Sequence, residues 1–248
     1  MIRLIIISLS IMVFSQTSFA QNTNPSPRTY QTSFESIDDF KGFYITPQKF
    51  EDKTFHEQST QRVRSGKFAH KGVILGQKPP STRFTNNNHR GYPTIQLYKL
   101  EGGAFRTPAK IEFWVWLDMK FKKGEWFSFA TIDHTRSDTW DPVLVNLSDK
   151  GIVHLMHVPK NAQSEYSFQT KTIKFPMRRW VKLSIEIHFD RNNGYAKVWQ
   201  NGQLVSSAIV KKGNGLFTQA HFGLYAPPSM TSGVVYNDDL KITELPSR

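Results

Sequence analysis

The sequence contains no cysteine among its 248 residues. This absence excludes a disulfide framework, a thiolate metal site and a cysteine nucleophile. It also excludes a lipid-anchored lipoprotein, since no cysteine follows the apolar N-terminal segment. A domain of this size buries a large enough share of its surface to fold without disulfides.

A single apolar run stands out, residues 4–14, and it is too short to remain as a membrane anchor. Arg3 precedes the run, and Ser18 and Ala20 supply the small residues of a signal-peptidase site. The pattern predicts cleavage after Ala20 and a protein that is secreted or periplasmic, without stable membrane insertion. The expected divisions are a signal peptide over residues 1–20, a flexible leader over 21–30 and one domain over 31–248.

Acidic residues are few relative to basic ones. The chain has 32 lysines and arginines against 20 aspartates and glutamates, a formal net charge of +12. A positive field attracts anionic partners. Outside the cytoplasm these are acidic polysaccharides rather than nucleic acid, although such a charge can also serve solubility alone.

No helical pattern of ordinary length and no internal repeat follow the N-terminal segment. Residues 181–189 instead alternate with period two, which is typical of a strand with one face in a core and one in water. The apolar side consists of Val181, Leu183, Ile185, Ile187 and Phe189.

Asn201 and Gly202 have the composition of a type I′ hairpin turn between two further strands. Closely spaced strands without crossover helices predict two antiparallel sheets packed face to face. The expected fold class is therefore all-β, a two-sheet jelly-roll sandwich, and the expected state is a monomer. The strand predictions are residues 32–35, 73–75, 94–100, 110–119, 126–132, 143–147, 152–158, 181–189, 195–200, 203–210, 221–225 and 234–242.

Trp114 and Trp116 alternate with Phe113, Val115 and Leu117 on one predicted strand, so both faces of that strand carry large groups. The two tryptophans either complete the core or line an open groove on which sugar rings stack. The pattern alone leaves both interpretations open.

The order of these segments resembles the concanavalin A-like (laminin G-like) jelly-roll superfamily, and within it the heparin lyase I-like polysaccharide lyases. The resemblance is carried by residues 32–35, 64–72, 179–187 with the Asn-Gly hairpin, 221–225 and 235–242. It implies one sheet that holds a glycan and one that faces away. Non-catalytic sugar-binding modules share this scaffold, so the fold does not by itself give the function.

The resemblance also implies a structural calcium ion where the first and last strands meet. Its ligands would be Glu35 and Asp239, with Asp238 as the alternative, and carboxylate oxygens suit this cation. Asn237 and Asp238 could instead only cap a turn. No organic cofactor is expected.

Hydrolysis of a polysaccharide normally requires two carboxyl groups that flank the scissile bond. No Glu-x-Asp-x-Glu run occurs here. Glu112 and Asp118 lie six positions apart on a predicted strand, roughly 20 Å, which is too far for a retaining pair. Hydrolysis is therefore disfavoured.

β-Elimination requires a group that neutralises the uronate carboxylate, a base and an acid. Arg90 can bind a carboxylate with two hydrogen bonds, and His89 is the candidate base on the same loop. Gln96 or one of Asn86 to Asn88 is expected to hold the neutralised carboxyl group. Tyr98 or Tyr225 is expected to supply the acid, and Tyr225 is also the second candidate for the base. The expected substrate contacts are Asn88, Tyr92, Trp114, Trp116, His157 and His221.

The sequence thus favours a secreted lyase that cleaves an acidic, uronate-containing polysaccharide by β-elimination. The alternative is a non-catalytic carbohydrate-binding jelly roll, and a third possibility is a structural or adhesion domain of the cell envelope. The lyase hypothesis predicts that the side chains of His89, Arg90 and Tyr225 converge on one face.

Overall fold

The computed structural model describes residues 26–36, 49–51 (backbone only), 53–79, 87–135, 141–159 and 166–246. The predicted signal peptide lies outside these ranges. No helix within them is long and apolar enough to cross a membrane.

Eighteen strands make up the described part of the chain. In chain order they are β1 (Thr29–Thr32), β2 (Lys49–Glu51), β3 (Thr54–Ser59), β4 (Ala69–Ile74), β5 (His89–Gly91), β6 (Thr94–Ile95), β7 (Phe105–Arg106), β8 (Ala109–Met119), β9 (Trp126–Asp133), β10 (Val143–Ser148), β11 (Val153–His157), β12 (Tyr166–Phe168), β13 (Trp180–His188), β14 (Tyr195–Gln200), β15 (Gln203–Ile209), β16 (Leu216–Phe217), β17 (Gln219–Ala226) and β18 (Gly233–Glu244).

Two large antiparallel sheets pack face to face, which confirms the predicted fold class. The nine-stranded sheet runs β15-β14-β13-β8-β18-β4-β3-β2, with β1 paired to β18. The seven-stranded sheet runs β12-β11-β10-β9-β17-β5, with β6 paired to β17. A short β7–β16 pair stands apart from both.

β13 has the alternation of core-facing and outward-facing side chains that its sequence predicts. Val181, Leu183, Ile185 and Ile187 are fully buried, while the residues between them are half-buried. The two sheets meet through aromatic side chains, as in the edge-to-face contact of Phe113 with Phe222, 5.2 Å between ring centroids. Burial of such apolar area is the main force holding the sheets together.

Asn201 and Gly202 both have positive φ, 49° and 81°, and join β14 to β15. This confirms the predicted hairpin. Glycine accepts such a φ without steric cost and asparagine tolerates it.

Three predictions in the first half of the chain were wrong. β1 ends at Thr32, so the strand predicted over 32–35 overlaps it at one residue only. Residues 94–100 form only the two-residue β6 and then a 3₁₀ turn over Leu97–Lys99, where Leu97 enters the core and the Tyr98 N–H bonds to the Thr218 carbonyl. The segment at His89, predicted to be a loop, forms β5 and pairs with β17.

The predicted flexible leader over 21–30 extends too far, because β1 already begins at Thr29. Arg28, just before it, bonds through Nε and Nη2 to Glu244 Oε1 at 3.1 and 3.0 Å. Arg106 bonds to Glu244 Oε2 through Nη2 at 2.6 Å and Nε at 3.1 Å. Burial raises the pKa of the Glu244 carboxyl, but the hydrogen bonds from Arg106 and Arg28 outweigh it and lower this pKa to about 2. The three side chains thus tie the N-terminal segment to β18 and β7.

Candidate functional site

The outer face of the seven-stranded sheet carries a row of polar and aromatic side chains. On β17 the residues Ala220, Phe222 and Leu224 enter the core, whereas His221 and Tyr225 point the other way and are partly exposed. Arg90 on β5 is the register partner of Tyr225. The strand alternation therefore places Arg90, His221 and Tyr225 on one face.

Five residues form a contact network here, which we call the Arg90 cluster: Asn88, Arg90, Tyr92, His221 and Tyr225. The Asn88 amide donates to the Tyr225 hydroxyl at 2.8 Å. The guanidinium carbon of Arg90 lies 5.8 Å from the centroid of the Tyr225 ring. Tyr92 stacks on His221 at 4.6 Å between ring centroids and meets Tyr225 edge-on at 6.0 Å.

Burial and the positive charge of Arg90 set the protonation states in this cluster. Burial, and then the Arg90 charge, lower the pKa of His221 to about 3, so the imidazole is neutral at pH 7. Burial raises the pKa of the Tyr92 hydroxyl above its usual value, against the opposing effect of Arg90. The cluster therefore presents one fixed positive charge beside a neutral imidazole and two phenols.

Lys78 adds a second cationic group that no sequence pattern indicated. Its ammonium group donates to the Asn88 carbonyl at 2.9 Å, and the residue is 6% exposed. Burial, followed by the Arg90 charge, lowers the pKa of Lys78 to about 8. Lys78 thus binds the backbone of Asn88, whose side-chain amide contacts Tyr225.

The polar row continues across the sheet from Tyr225. The register places Tyr225 beside Ser128, Ser128 beside Asn146 and Asn146 beside His154. Trp126 also contacts Tyr225 edge-on at 5.1 Å between centroids. Asn146 has a buried Oδ1 with no hydrogen-bond partner among the described residues. Ser128, Asn146 and His154 each stand between two apolar residues of their strand, and this was the sequence signal for the row.

The structure removes His89 from the site. Its side chain lies on the core side of β5, fully buried, with Nδ1 2.6 Å from Thr54 Oγ1 and Nε2 3.0 Å from the Met230 carbonyl oxygen. Because Arg90 is the next residue on a strand, it points to the opposite face. The predicted convergence therefore holds for Arg90 and Tyr225 but fails for His89.

Gln96 and Tyr98 lie toward the His221 end of the cluster and away from Arg90 and Tyr225. The Gln96 amide donates to the Tyr98 hydroxyl at 2.8 Å, and the Tyr98 backbone is bonded to Thr218, just before β17 begins. Tyr225 lies seven residues along the chain from Thr218, or roughly 20 Å at the usual strand rise. The register pairs Thr94 with His221 and Ile95 with Ala220, so Gln96 is near the imidazole of the cluster and far from its guanidinium.

His157 is not a groove residue either. It lies on the core side at the end of β11, and its Nε2 is 2.9 Å from Asp141 Oδ1. The same carboxylate contacts His134 Nε2 at 3.3 Å. The other histidine of β11, His154, is the one on the outer face.

Trp114 and Trp116 belong to the other sheet, which corrects their assignment to the glycan groove. Their neighbours Phe113, Val115 and Leu117 fill the core, so the tryptophans lie on the outer face of the nine-stranded sheet. Both faces of β8 carry large groups, and the sequence does not show which sheet the strand joins.

Glu35 and Asp239 line one cavity of about 450 Å³ beside the β1–β18 junction. Both Glu35 oxygens accept backbone N–H groups from the segment Lys67–Phe68, and Asp239 Oδ1 accepts the hydroxyls of Ser33 and Ser65. Within the described ranges, no three His, Asp or Glu side chains are grouped to hold a metal. Two carboxylates would supply part of the six to eight oxygen ligands that calcium takes, and backbone carbonyls or water would have to supply the rest.

The sequence profile of the polysaccharide lyase family matches residues 39–241. No curated protein matches the chain by sequence. Among solved structures, an endo-β-1,4-glucuronan lyase from the fungus Trichoderma reesei is similar, with a TM-score of 0.63 and 16% identity over 82% of this chain and 92% of that one.

Two further structures share the fold. The cellulose-induced protein Cip1 has a TM-score of 0.61 and 14% identity, covering 88% of this chain and 100% of its own. Alginate lyase A1-II′, of polysaccharide lyase family 7, has a TM-score of 0.54 and 15% identity, covering 76% and 86%. These identities are low, so the likeness establishes the concanavalin A-like sandwich and no more.

Proposed function

The chain belongs to the polysaccharide lyase family, and from this membership and the site geometry we propose that it cleaves a uronate-containing polysaccharide by β-elimination at the Arg90 cluster. The observation that carries the proposal is the position of a neutral imidazole and a phenol beside one guanidinium on the outer face of the seven-stranded sheet. Two similar structures are named as lyases of glucuronan and alginate, which supports a uronate substrate.

Arg90 has the first task in this mechanism. Its planar guanidinium can bind the uronate carboxylate with two parallel hydrogen bonds. Neutralising that carboxylate makes the adjacent C5–H bond more acidic and stabilises the charge that develops when the proton leaves. Cancelling the Arg90 charge also raises the pKa of His221, because that charge is one cause of its low value in the free protein.

His221 then takes the C5 proton. The electron pair of the C5–H bond forms the C4–C5 double bond, and the bond from C4 to the glycosidic oxygen breaks. Tyr225 donates its proton to the departing oxygen. The Asn88 amide donates to the Tyr225 oxygen, which stabilises the phenolate that remains. Transfer of the proton from His221 through solvent restores both groups.

Incubation of the protein with a panel of uronate polysaccharides tests this function. A lyase creates an unsaturated uronate at the new non-reducing end, and its conjugated double bond absorbs in the ultraviolet. We expect this absorbance to rise with glucuronan, alginate or another member of the panel. A flat trace with every polymer, with one of them still retarding the protein in an affinity gel, would favour the carbohydrate-binding alternative.

The protonation of His221 gives a separate prediction. Its imidazole should stay neutral down to about pH 4, because burial and Arg90 lower its pKa to about 3. In Arg90→Ala one of the two causes is gone, so the pKa of His221 should rise. NMR titration of the histidine ring protons measures the pKa of His221 in the wild-type protein and in Arg90→Ala. A His221 that titrates at its ordinary pKa in the wild-type protein would contradict the proposed site.

Secretion, a monomeric state and the finer resemblance to heparin lyase I stay predictions from the sequence. Calcium binding does as well, and thermal unfolding in calcium and in EDTA tests it. A melting temperature several degrees higher in calcium would support the ion. Equal melting temperatures would leave Glu35 and Asp239 as acceptors of the hydrogen bonds described above.

A further inference from the structure

Two arginines lie over the two tryptophans on the outer face of the nine-stranded sheet. The guanidinium carbon of Arg62 is 4.2 Å from the Trp116 ring centroid, and that of Arg64 is 4.3 Å from the Trp114 ring centroid. Trp114 and Trp116 are two residues apart on β8, which spaces them by about 7 Å. Both arginines are exposed, so the outer side of each guanidinium faces solvent.

The segment that carries these arginines is fixed to the sheet. The backbone N–H groups of Arg64 and Ser65 donate to Asp238 Oδ2 at 2.8 and 3.2 Å. Three residues further on, the Glu35 carboxylate accepts the Lys67 N–H at 2.9 Å. Anchoring of the backbone and stacking of the side chains together reduce the entropy that an arginine loses on binding a ligand.

Three acidic residues of this sheet are paired with other cations, whereas Asp238, Asp239 and Glu35 accept hydrogen bonds from the backbone and from Ser65 of the arginine segment. Glu57 bonds to Lys71 at 2.9 Å, and Asp118 bonds to Arg178 at 3.0 Å. Glu112 lies between two lysines, Lys110 at 3.0 Å and Lys182 at 2.9 Å. Among the described residues, neither Arg62 nor Arg64 forms an ion pair with a carboxylate. The guanidinium groups of Arg62 and Arg64 therefore face solvent without an ion-pair partner among the described residues.

We propose that Arg62 and Arg64 form a second, non-catalytic binding site for an acidic polysaccharide. Each stacked guanidinium presents a planar pair of donors that matches a carboxylate or sulfate group. The site lies on the opposite side of the sandwich from the Arg90 cluster, so a long polymer can engage it while another stretch of chain occupies the catalytic face. The choice of an acidic polysaccharide as ligand rests on the proposed function.

Affinity electrophoresis in gels that contain alginate or glucuronan tests this site. The double variant Arg62→Ala/Arg64→Ala should bind the retarding polymer about tenfold more weakly, because two exposed charged contacts are lost. The control Arg191→Ala/Lys211→Ala removes two exposed charges near the far end of β13 and should change the affinity less than twofold. Arg62→Lys/Arg64→Lys keeps the charge without the planar fork and should give an intermediate affinity.

Equal retardation of Arg62→Ala/Arg64→Ala and the Arg191→Ala/Lys211→Ala control would overturn the proposal, since the loss would then reflect net charge alone. Complete loss of retardation in the Arg90→Ala variant would also overturn the proposal, because the second site should still bind the polymer. Circular dichroism confirms that each variant is folded. The assay does not depend on turnover, so a protein that binds here but yields no unsaturated product would refute the lyase function and leave this site standing.

Discussion

Replacing Arg90 with alanine should lower kcat/KM for a uronate polymer about a thousandfold. The guanidinium is the group of the cluster that can neutralise the substrate carboxylate, and loss of one such preorganised charge typically costs a factor of 10² to 10³. Loss of the fixed charge also removes the interaction that orients the sugar relative to His221 and Tyr225. The initial rate of ultraviolet absorbance measures the effect.

Two variants separate this effect from a general loss of positive charge. Arg90→Lys keeps the charge but loses the bidentate geometry, so it should recover only part of the activity. Arg191→Ala removes an exposed arginine in the turn between β13 and β14 and should keep the wild-type rate. An Arg90→Ala protein that is folded and within threefold of the wild-type rate would remove Arg90 from the mechanism.

Replacing Glu244 with glutamine should lower the free energy of unfolding by about 3 kcal/mol, because it leaves two arginines without their carboxylate. Glu244 is 2% exposed, and it accepts hydrogen bonds from both the side chains and the backbone N–H groups of Arg28 and Arg106. The melting temperature should fall by roughly 10 °C for a domain of this size. Thermal and denaturant unfolding measure the change.

The matched control is Glu57→Gln. Glu57 forms an ion pair with Lys71 at 2.9 Å, but its side chain is 43% exposed, so the loss should be less than about 1 kcal/mol. Equal destabilisation by the two substitutions would show that burial of Glu244 does not determine how much it contributes to the free energy of unfolding. Hydrogen exchange in Glu244→Gln should also increase first in β1, which Arg28 ties to β18.

The position of the strands in the sequence was largely predictable because it depends on local patterns. β13 shows strict alternation, and the Asn201-Gly202 turn has a specific steric signal. Alternation also places His221 and Tyr225, four positions apart on β17, on one face, and the structure joins both residues to Arg90. Turn composition and alternation are properties of short segments, so they can be read from the sequence without knowing how the strands pair.

The errors arose where a side chain's direction depends on distant pairing. His89 and Arg90 are adjacent, and only the antiparallel pairing of β5 with β17 determines that Arg90 faces outward and His89 faces the core. Trp114 and Trp116 could not be assigned to a sheet from β8 alone, because sheet order is set by pairing with β13 and β18. Lys78 gave no sequence signal at all, since its burial depends on a contact with Asn88.

The carbohydrate-binding alternative predicts the same ligand class but a different role for the Arg90 cluster. A binding site needs the guanidinium and the aromatic rings of Tyr225 and Trp126, and it does not need a proton donor. Tyr225→Phe keeps the ring and loses only the hydroxyl that Asn88 contacts. It should therefore abolish turnover in a lyase and change the affinity of a binding module only slightly.

The most direct measurement is mass spectrometry of the products that the wild-type protein releases from the polymer it binds. β-Elimination at the Arg90 cluster predicts oligosaccharides with one unsaturated uronate at the non-reducing end, lighter by one water than hydrolysis products. It predicts no such products from Tyr225→Phe. Products that have gained water at the cleaved bond would contradict β-elimination. An unchanged yield from Tyr225→Phe would contradict the assignment of the reaction to the Arg90 cluster.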